Sequence, residues 1–116
     1  MEILGSKTYS TMIALRGSIS KQRCKNITEK IINKIGMHKA HKSKMFNYPF
    51  EGKGNGFIYI QPIIESFICW DVWIKPDGAY LTICSCRDFN ISKIQEIFEE
   101  EELEILNINK NIMSIV

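Results

Sequence analysis

Residues able to do chemistry crowd into positions 56–86: the carboxylates Glu65 and Asp71, the thiols Cys69, Cys84 and Cys86, Ser66, Gln61, and the aromatics Phe57, Tyr59, Phe67, Trp70, Trp73 and Tyr80. Glu65 is the most demanding of them. It lies in PIIESFICW, between isoleucines and a phenylalanine. An unpaired carboxylate there is expensive unless it is hydrogen-bonded, protonated or held for a cationic ligand. The alternative is a carboxylate at a strand bend with access to water. Asp71, between Trp70 and Val72, repeats the pattern. Aromatic rings with carboxylates on one face suit an organic cation, because ring faces attract positive charge and the carboxylate completes the neutralisation. They also suit a packed oligomer interface.

The elements that must position these groups read as two or three antiparallel strands. Pro76-Asp77-Gly78 is a turn signal, with proline presetting φ at the first turn position and glycine closing the turn. A fold-back around residues 75–78 sets Ile74 opposite Ala79, Val72 opposite Leu81, Trp70 opposite Ile83 and Ile68 opposite Ser85, giving an apolar face for a core. The other face then carries Trp73 with Tyr80, Asp71 with Thr82, Cys69 with Cys84 and Phe67 with Cys86. If alternation survives Pro62, it continues to Glu65, Gln61, Tyr59 and Phe57. A face of that mixture is expected to be a ligand site, a subunit interface or both.

Outside this stretch the elements read more simply. Residues 8–16 alternate, with Tyr9, Thr11, Ile13 and Leu15 on one side, as an opening strand. Ser20 can cap a helix whose Cys24, Ile27, Ile31 and Ile35 recur at helical spacing and which Gly36 ends. A strand is expected between Lys42 and Tyr48, then a glycine-rich loop over residues 51–56. Asp88 or Asn90 can cap a second helix with Ile91, Ile94, Ile97 and Phe98 as its buried stripe. The acidic run 99–102 reads as solvated surface that opposes the helix dipole and frays the helix end. Residues 103–108 alternate enough for a closing strand, which the last residues can continue or follow with an edge strand. The order predicts an α/β (α+β) fold, a two-layer sandwich with a mostly antiparallel sheet and two helices on one face.

Composition narrows the function. The 116 residues carry a net charge of only +2, too mild for nucleic-acid binding, and make one domain with one core. No apolar run is long enough to cross a bilayer, and the N-terminus lacks the pattern of a signal peptide, so a cytoplasmic protein with reduced thiols is expected. His38 and His41 with the cysteines invite a metal reading, but the paired spacing of zinc ligands is missing, so no metal is expected. Neither histidine is locally tied to a thiol as a base for a nucleophile. The lysines of residues 34–44 can meet a phosphate or make a solvated edge. Gly52, Gly54 and Gly56 fit neither a Walker loop nor a dinucleotide fingerprint.

Glu65-Ser66, Trp73 eight residues beyond Glu65, and TICSCRD from Thr82 to Asp88 leading into a helix together resemble prokaryotic S-adenosylmethionine decarboxylases and the phage-type S-adenosylmethionine lyases related to them by fold. In the decarboxylases the chain breaks between a glutamate and a serine, and the serine becomes a pyruvoyl group. Glu65 and Ser66 match that dipeptide, and Cys86 falls where the family has its catalytic cysteine. Asp71 stands where the processing histidine is expected, and Phe67 where histidine usually follows the serine, so both departures bear on self-processing.

The lyases need no pyruvoyl group. They are phage anti-restriction enzymes, with a CRISPR-associated group that cleaves the adenylate conjugate SAM-AMP. The resemblance therefore implies an antiviral-defence or counter-defence lyase without a cofactor. In that chemistry the substrate's own carboxylate attacks its γ-carbon and the sulfonium leaves, giving a methylthioadenosine moiety and homoserine lactone. Orientation alone can supply roughly 7 to 11 kcal/mol in well-aligned cases. The resemblance further implies Glu65 and Tyr59 as the catalytic pair orienting the aminobutyryl group, with Ser66 and Gln61 beside them. It implies one of Phe46, Tyr48 and Phe57 stacking on adenine, and Asp71 facing the substrate or bonding Thr82. It implies sites at subunit boundaries, with a trimer expected. The alternatives are a pyruvoyl-dependent decarboxylase and a non-catalytic assembly module of the same fold.

Overall fold

Alternation in the strands and threefold-to-fourfold spacing in the helices produce the expected architecture. A computed structural model describes residues 6–47 and 56–116. The elements are β1 (Lys7–Arg16), α1 (Lys21–Lys34), β2 (Lys44–Asn47), β3 (Gly56–Ile63), β4 (Ser66–Ile74), β5 (Asp77–Ser85), α2 (Ile91–Glu100) and β6 (Glu104–Ser114). The strands form one sheet in the order β2-β3-β4-β5-β1-β6, and every neighbouring pair is antiparallel. This is an α+β two-layer arrangement. No helix among the described residues is long and apolar enough to cross a membrane.

Both helices cover the same face, and Trp70 of β4 shows how. Its indole Nε1 donates to Thr28 Oγ1 of α1 at 2.9 Å, and Phe98 of α2 meets its ring edge-on at 6.2 Å. Thr11, Ile13 and Leu15 of β1, Ile68 and Val72 of β4, and Leu81 and Ile83 of β5 fill the rest of that layer. Ser20 caps α1 by accepting from the Arg23 amide at 3.1 Å, and Asn90 caps α2 through the Ser92 amide at 3.0 Å. Gly36, at φ +70°, turns the chain out of α1 as a helix-ending glycine does.

Two expectations are corrected, and one left open is decided. The β4–β5 hairpin turns on Lys75 and Pro76 alone, with Ile74 opposite Asp77, so Val72 faces Ala79, Trp70 faces Leu81 and Ile68 faces Ile83. Proline takes the third turn position with a cis peptide bond before it, not the second position that was expected. The shift is two residues, an even number, so every side chain of β4 and β5 keeps its face. The acidic run is not simply solvated: Arg23 and Lys30 of α1 pair with the Glu101 carboxylate, and Arg23 also donates to the Glu101 carbonyl. Those cations neutralise the helix end and tie it to α1. Finally, β6 runs on to Ser114 because Asn107, Asn109 and Asn111 find partners in β1 despite their polar character.

Candidate functional site

The turn between β3 and β4 consists of Ile64 and Glu65, with Ile63 opposite Ser66. Glu65 is the polar anchor of this end of the sheet. Its side chain is only 6% exposed, yet its carboxylate is satisfied. Oε1 accepts from the His38 amide at 3.0 Å, and Oε2 accepts from His38 Nδ1 at 2.9 Å and from Arg87 Nη2 at 3.4 Å. Nδ1 faces a carboxylate, so it is the protonated ring nitrogen. Burial would raise the Glu65 carboxyl, but the hydrogen bonds from the His38 ring and amide outweigh it and hold the group below the ordinary glutamate value of 4.5. Arg87 also donates to the Gly36 carbonyl at 2.8 Å, so one guanidinium joins the end of α1 to the turn. The Cys86 amide donates to the Glu65 carbonyl at 3.0 Å.

The second carboxylate has a different setting. Asp71 sits mid-strand on the face that no helix covers, opposite Ile58 of β3 and Tyr80 of β5. One cross-sheet row reads Phe46, Ile58, Asp71, Tyr80, Ala14 and Asn107. Phe46 and Tyr80 are about half exposed, at 49% and 50%, as is Met12 in the neighbouring row. Burial pushes the Asp71 carboxyl above its ordinary value of 3.8. The Trp73 indole N–H, two residues along on the same face, pulls the other way. Oδ1 itself is buried without a hydrogen-bond partner among the described residues. A half-buried acid held this way among rings is set up to receive a positive charge.

Past Trp73 and Tyr80, the neighbours of Asp71, the face carries a hollow of about 330 Å³ whose lining does not include Asp71 itself. Its floor exists because the row from Trp73 to Arg16 crosses Gly78, and the next row crosses Ala14, so two positions contribute almost no side chain. Gly78 is required by the close neighbouring strand: a Cβ there would lie 2.5 Å from the Leu15 carbonyl oxygen. Trp73 and Tyr80 stand along the hollow, Arg16 is at its rim, and Leu106 closes it. Leu106 is the extra residue of an irregularity in β6, where Ala14 pairs with Asn107 but Leu15 pairs with Ile105. Bulges of this kind re-aim a side chain. Among the described residues the Arg16 side chain is paired with Glu104, an exposed contact at 3.5 Å that is easily exchanged for a ligand.

The residues expected to make one site are distributed over three places. Asp71 and Phe46 share the uncovered face. Glu65 and Ser66 lie at the turn, with Ser66 exposed and opposite Ser85. Phe57, Tyr59 and Gln61 lie on the helix-covered face, which corrects the expectation that they continue the face of Asp71. The cause is the two-residue turn at Ile64 and Glu65, which pairs Phe57 with Val72 and Tyr59 with Trp70, so odd positions of β3 meet even positions of β4. Phe57 is core and offers no free ring face. Tyr59 and Glu65 are not brought together: β3 runs about 13 Å from residue 59 to residue 63, at 3.3 Å per residue, before the turn begins. Tyr48 and residues 51–55 lie outside the described residues. Sequence reasoning missed Arg87, and Trp73 and Tyr80 as walls of a hollow. Arg87 was visible only as the residue after Cys86. The Cys69 thiol is pushed up by burial, which suits a packing residue and not a nucleophile.

No protein-family model and no curated protein sequence matches the chain. Among solved structures it is similar to the adenosylmethionine decarboxylase from Aquifex aeolicus VF5, with a TM-score of 0.63 and 16% sequence identity over 94% of this chain and 90% of that one. At that identity the likeness establishes the fold, and the chain has the fold of an adenosylmethionine decarboxylase.

Proposed function

We propose that the chain is a lyase that cleaves S-adenosylmethionine or its adenylate conjugate SAM-AMP, by attack of the substrate's own carboxylate on its γ-carbon. The observation that carries this reading is Asp71, a half-buried carboxyl with an unpartnered oxygen at the centre of an uncovered aromatic face. The fold supports it, being that of a protein whose printed name is adenosylmethionine decarboxylase. The sulfonium lies against Asp71, and the adenine reaches between Trp73 and Tyr80 into the adjoining hollow, whose roughly 330 Å³ is of ligand size. Arg16 at the rim meets an anionic group of the substrate.

The reaction moves no proton. The carboxylate oxygen forms a bond to the γ-carbon, the carbon–sulfur bond breaks with its electrons going to sulfur, and both reacting charges disappear. A weakly polar face therefore favours the dispersed transition state over the charged ground state. Asp71 binds the cation, and its interaction fades as the charge is lost, so it serves binding more than the chemical step. Glu65 is a positioning residue whose carboxylate fixes the turn from which β4 starts. Self-association through the uncovered face, where Met12, Phe46 and Tyr80 are exposed, would place the sites at subunit boundaries, and a trimer is the expected assembly.

Product analysis of purified protein incubated in parallel with S-adenosylmethionine and SAM-AMP tests the reading. Homoserine lactone from either supports it, whereas absence of turnover favours a non-catalytic module.

A second reading, a pyruvoyl-dependent decarboxylase, is favoured by one contact. The Glu65 carbonyl, which the Ser66 hydroxyl would attack in a self-cleavage, accepts a hydrogen bond from the Cys86 amide at 3.0 Å. That reading requires two fragments on a denaturing gel, split between Glu65 and Ser66.

A further inference from the structure

The opposite side of the sheet carries a feature that the lyase reading does not use. The segment after α1 lies along β3 and is stitched to it. The Ile64 amide donates to the His38 carbonyl at 2.8 Å, the Ala40 amide donates to the Pro62 carbonyl at 3.2 Å, and Lys39 makes a bridge with Ile63. Gln61, buried at 3% exposure, donates through Nε2 to the His41 carbonyl at 2.9 Å and fixes the backbone from the inside. Between this wall and α1 opens a cleft of about 850 Å³, with Tyr59 and Gln61 on its floor.

The charge around this cleft is one-sided. Lys25 enters from α1, and Lys39, His41 and Lys42 from the stitched segment, against one carboxylate, Glu29. Glu29 is already paired with Lys39. Lys25 and Lys42 form no ion pair with any described residue. Two unpaired ammonium groups facing one polar cavity repel each other unless an anion lies between them, and lysine serves phosphate well as a point charge. The wall is held by backbone bonds before any ligand arrives, which lowers the ordering cost of binding. The volume fits a nucleotide better than a single inorganic ion.

We propose that the cleft formed by Lys25, Lys42, His41, Tyr59 and Gln61 is a second binding site, for a phosphate-bearing small molecule of nucleotide size. It lies across the sheet from Asp71 and does not rest on the lyase reading. The phosphates sit between Lys25 and Lys42, and the nucleoside lies over Tyr59 and over Gln61, whose amide hydrogens are already given to the His41 and Pro62 carbonyls.

Titration calorimetry of the intact protein with ADP, pyrophosphate and adenosine tests it. ADP and pyrophosphate bind the cleft and lose affinity as salt is raised, whereas any adenosine binding, as expected at the hollow between Trp73 and Tyr80, is unmoved by salt and by loss of Lys25 and Lys42. Lys25→Gln with Lys42→Gln, two exposed positions that leave the core alone, raises the Kd for ADP at least about tenfold. Asp71→Asn leaves the ADP affinity unchanged, which keeps a failure here separate from a failure of the proposed activity. An ADP affinity unmoved by the double substitution, pyrophosphate that does not compete with ADP, or no ADP binding at all overturns the proposal. Binding of a short single-stranded oligonucleotide in place of ADP also overturns it, since the cleft would then be part of a nucleic-acid track.

Discussion

Glu65 and Asp71 stand six residues apart in one stretch of chain, and both carboxylates are withdrawn from water. Glu65 receives three donors from His38 and Arg87 and is held in its charged form. Asp71 is left with a raised carboxyl and a buried oxygen that has no hydrogen-bond partner among the described residues. The difference teaches where stability and function separate. A carboxylate completed within the chain fixes structure, whereas one left incomplete among aromatic rings on an uncovered face waits for a cation from outside.

Substitution is the strongest way to break this comparison. Glu65→Ala removes three hydrogen bonds, two of them from groups able to carry positive charge, and should cost about 2–3 kcal/mol of stability, read as a lower urea midpoint. Asp71→Asn should do the reverse. It should raise KM about tenfold, roughly 1.4 kcal/mol of lost ground-state binding, with kcat equal or higher because the contact fades in the transition state, and the urea midpoint equal or higher. An Asp71→Asn protein that unfolds more easily than the parent would place Asp71 with Glu65 as a structural group.

The pH dependence sharpens the comparison because the two shifts have opposite signs. The Glu65 contribution is complete above the ordinary value of 4.5 and is lost as pH falls through the lower folded value. Asp71 acts the other way: its carboxyl is easier to keep neutral in the folded chain, so stability falls as pH rises from 3.8 through the raised folded value. Stability of Glu65→Gln against pH should lose the acid-side decline due to Glu65, and that of Asp71→Asn should lose the opposing slope. A smaller effect is expected from the hollow. Ala14→Leu should fill its floor and raise KM a few-fold at near-constant stability, since the site faces outward; an unchanged KM would remove the hollow from the substrate's path.

Local chemistry was legible in the sequence. Ser20 and Asn90 announced their helices, and alternation through Thr11, Ile13 and Leu15 announced β1. The side of the sheet carrying Asp71, Trp73 and Tyr80 was also readable, since parity within a strand survives an error in register. What could not be read were relations set by turns and distant partners. A two-residue turn at Ile64 and Glu65 moved Tyr59 and Gln61 to the other face, and nothing in PIIESF fixes the length of that turn. The partners of Glu65 come from 27 and 22 residues away, so the choice between a satisfied and a waiting carboxylate is made by tertiary structure. The hollow depends on Gly78, Ala14 and an irregularity in β6 that only strand pairing reveals.

The measurement that tests the central claim most directly is mass-spectrometric product analysis of parent and Asp71→Asn proteins, each with S-adenosylmethionine and with SAM-AMP over a range of concentrations. The account predicts homoserine lactone and a methylthioadenosine product from at least one substrate, with Asp71→Asn needing about tenfold more substrate for the same rate. A decarboxylated product, no product from either compound, or identical concentration dependence in the two proteins would contradict it.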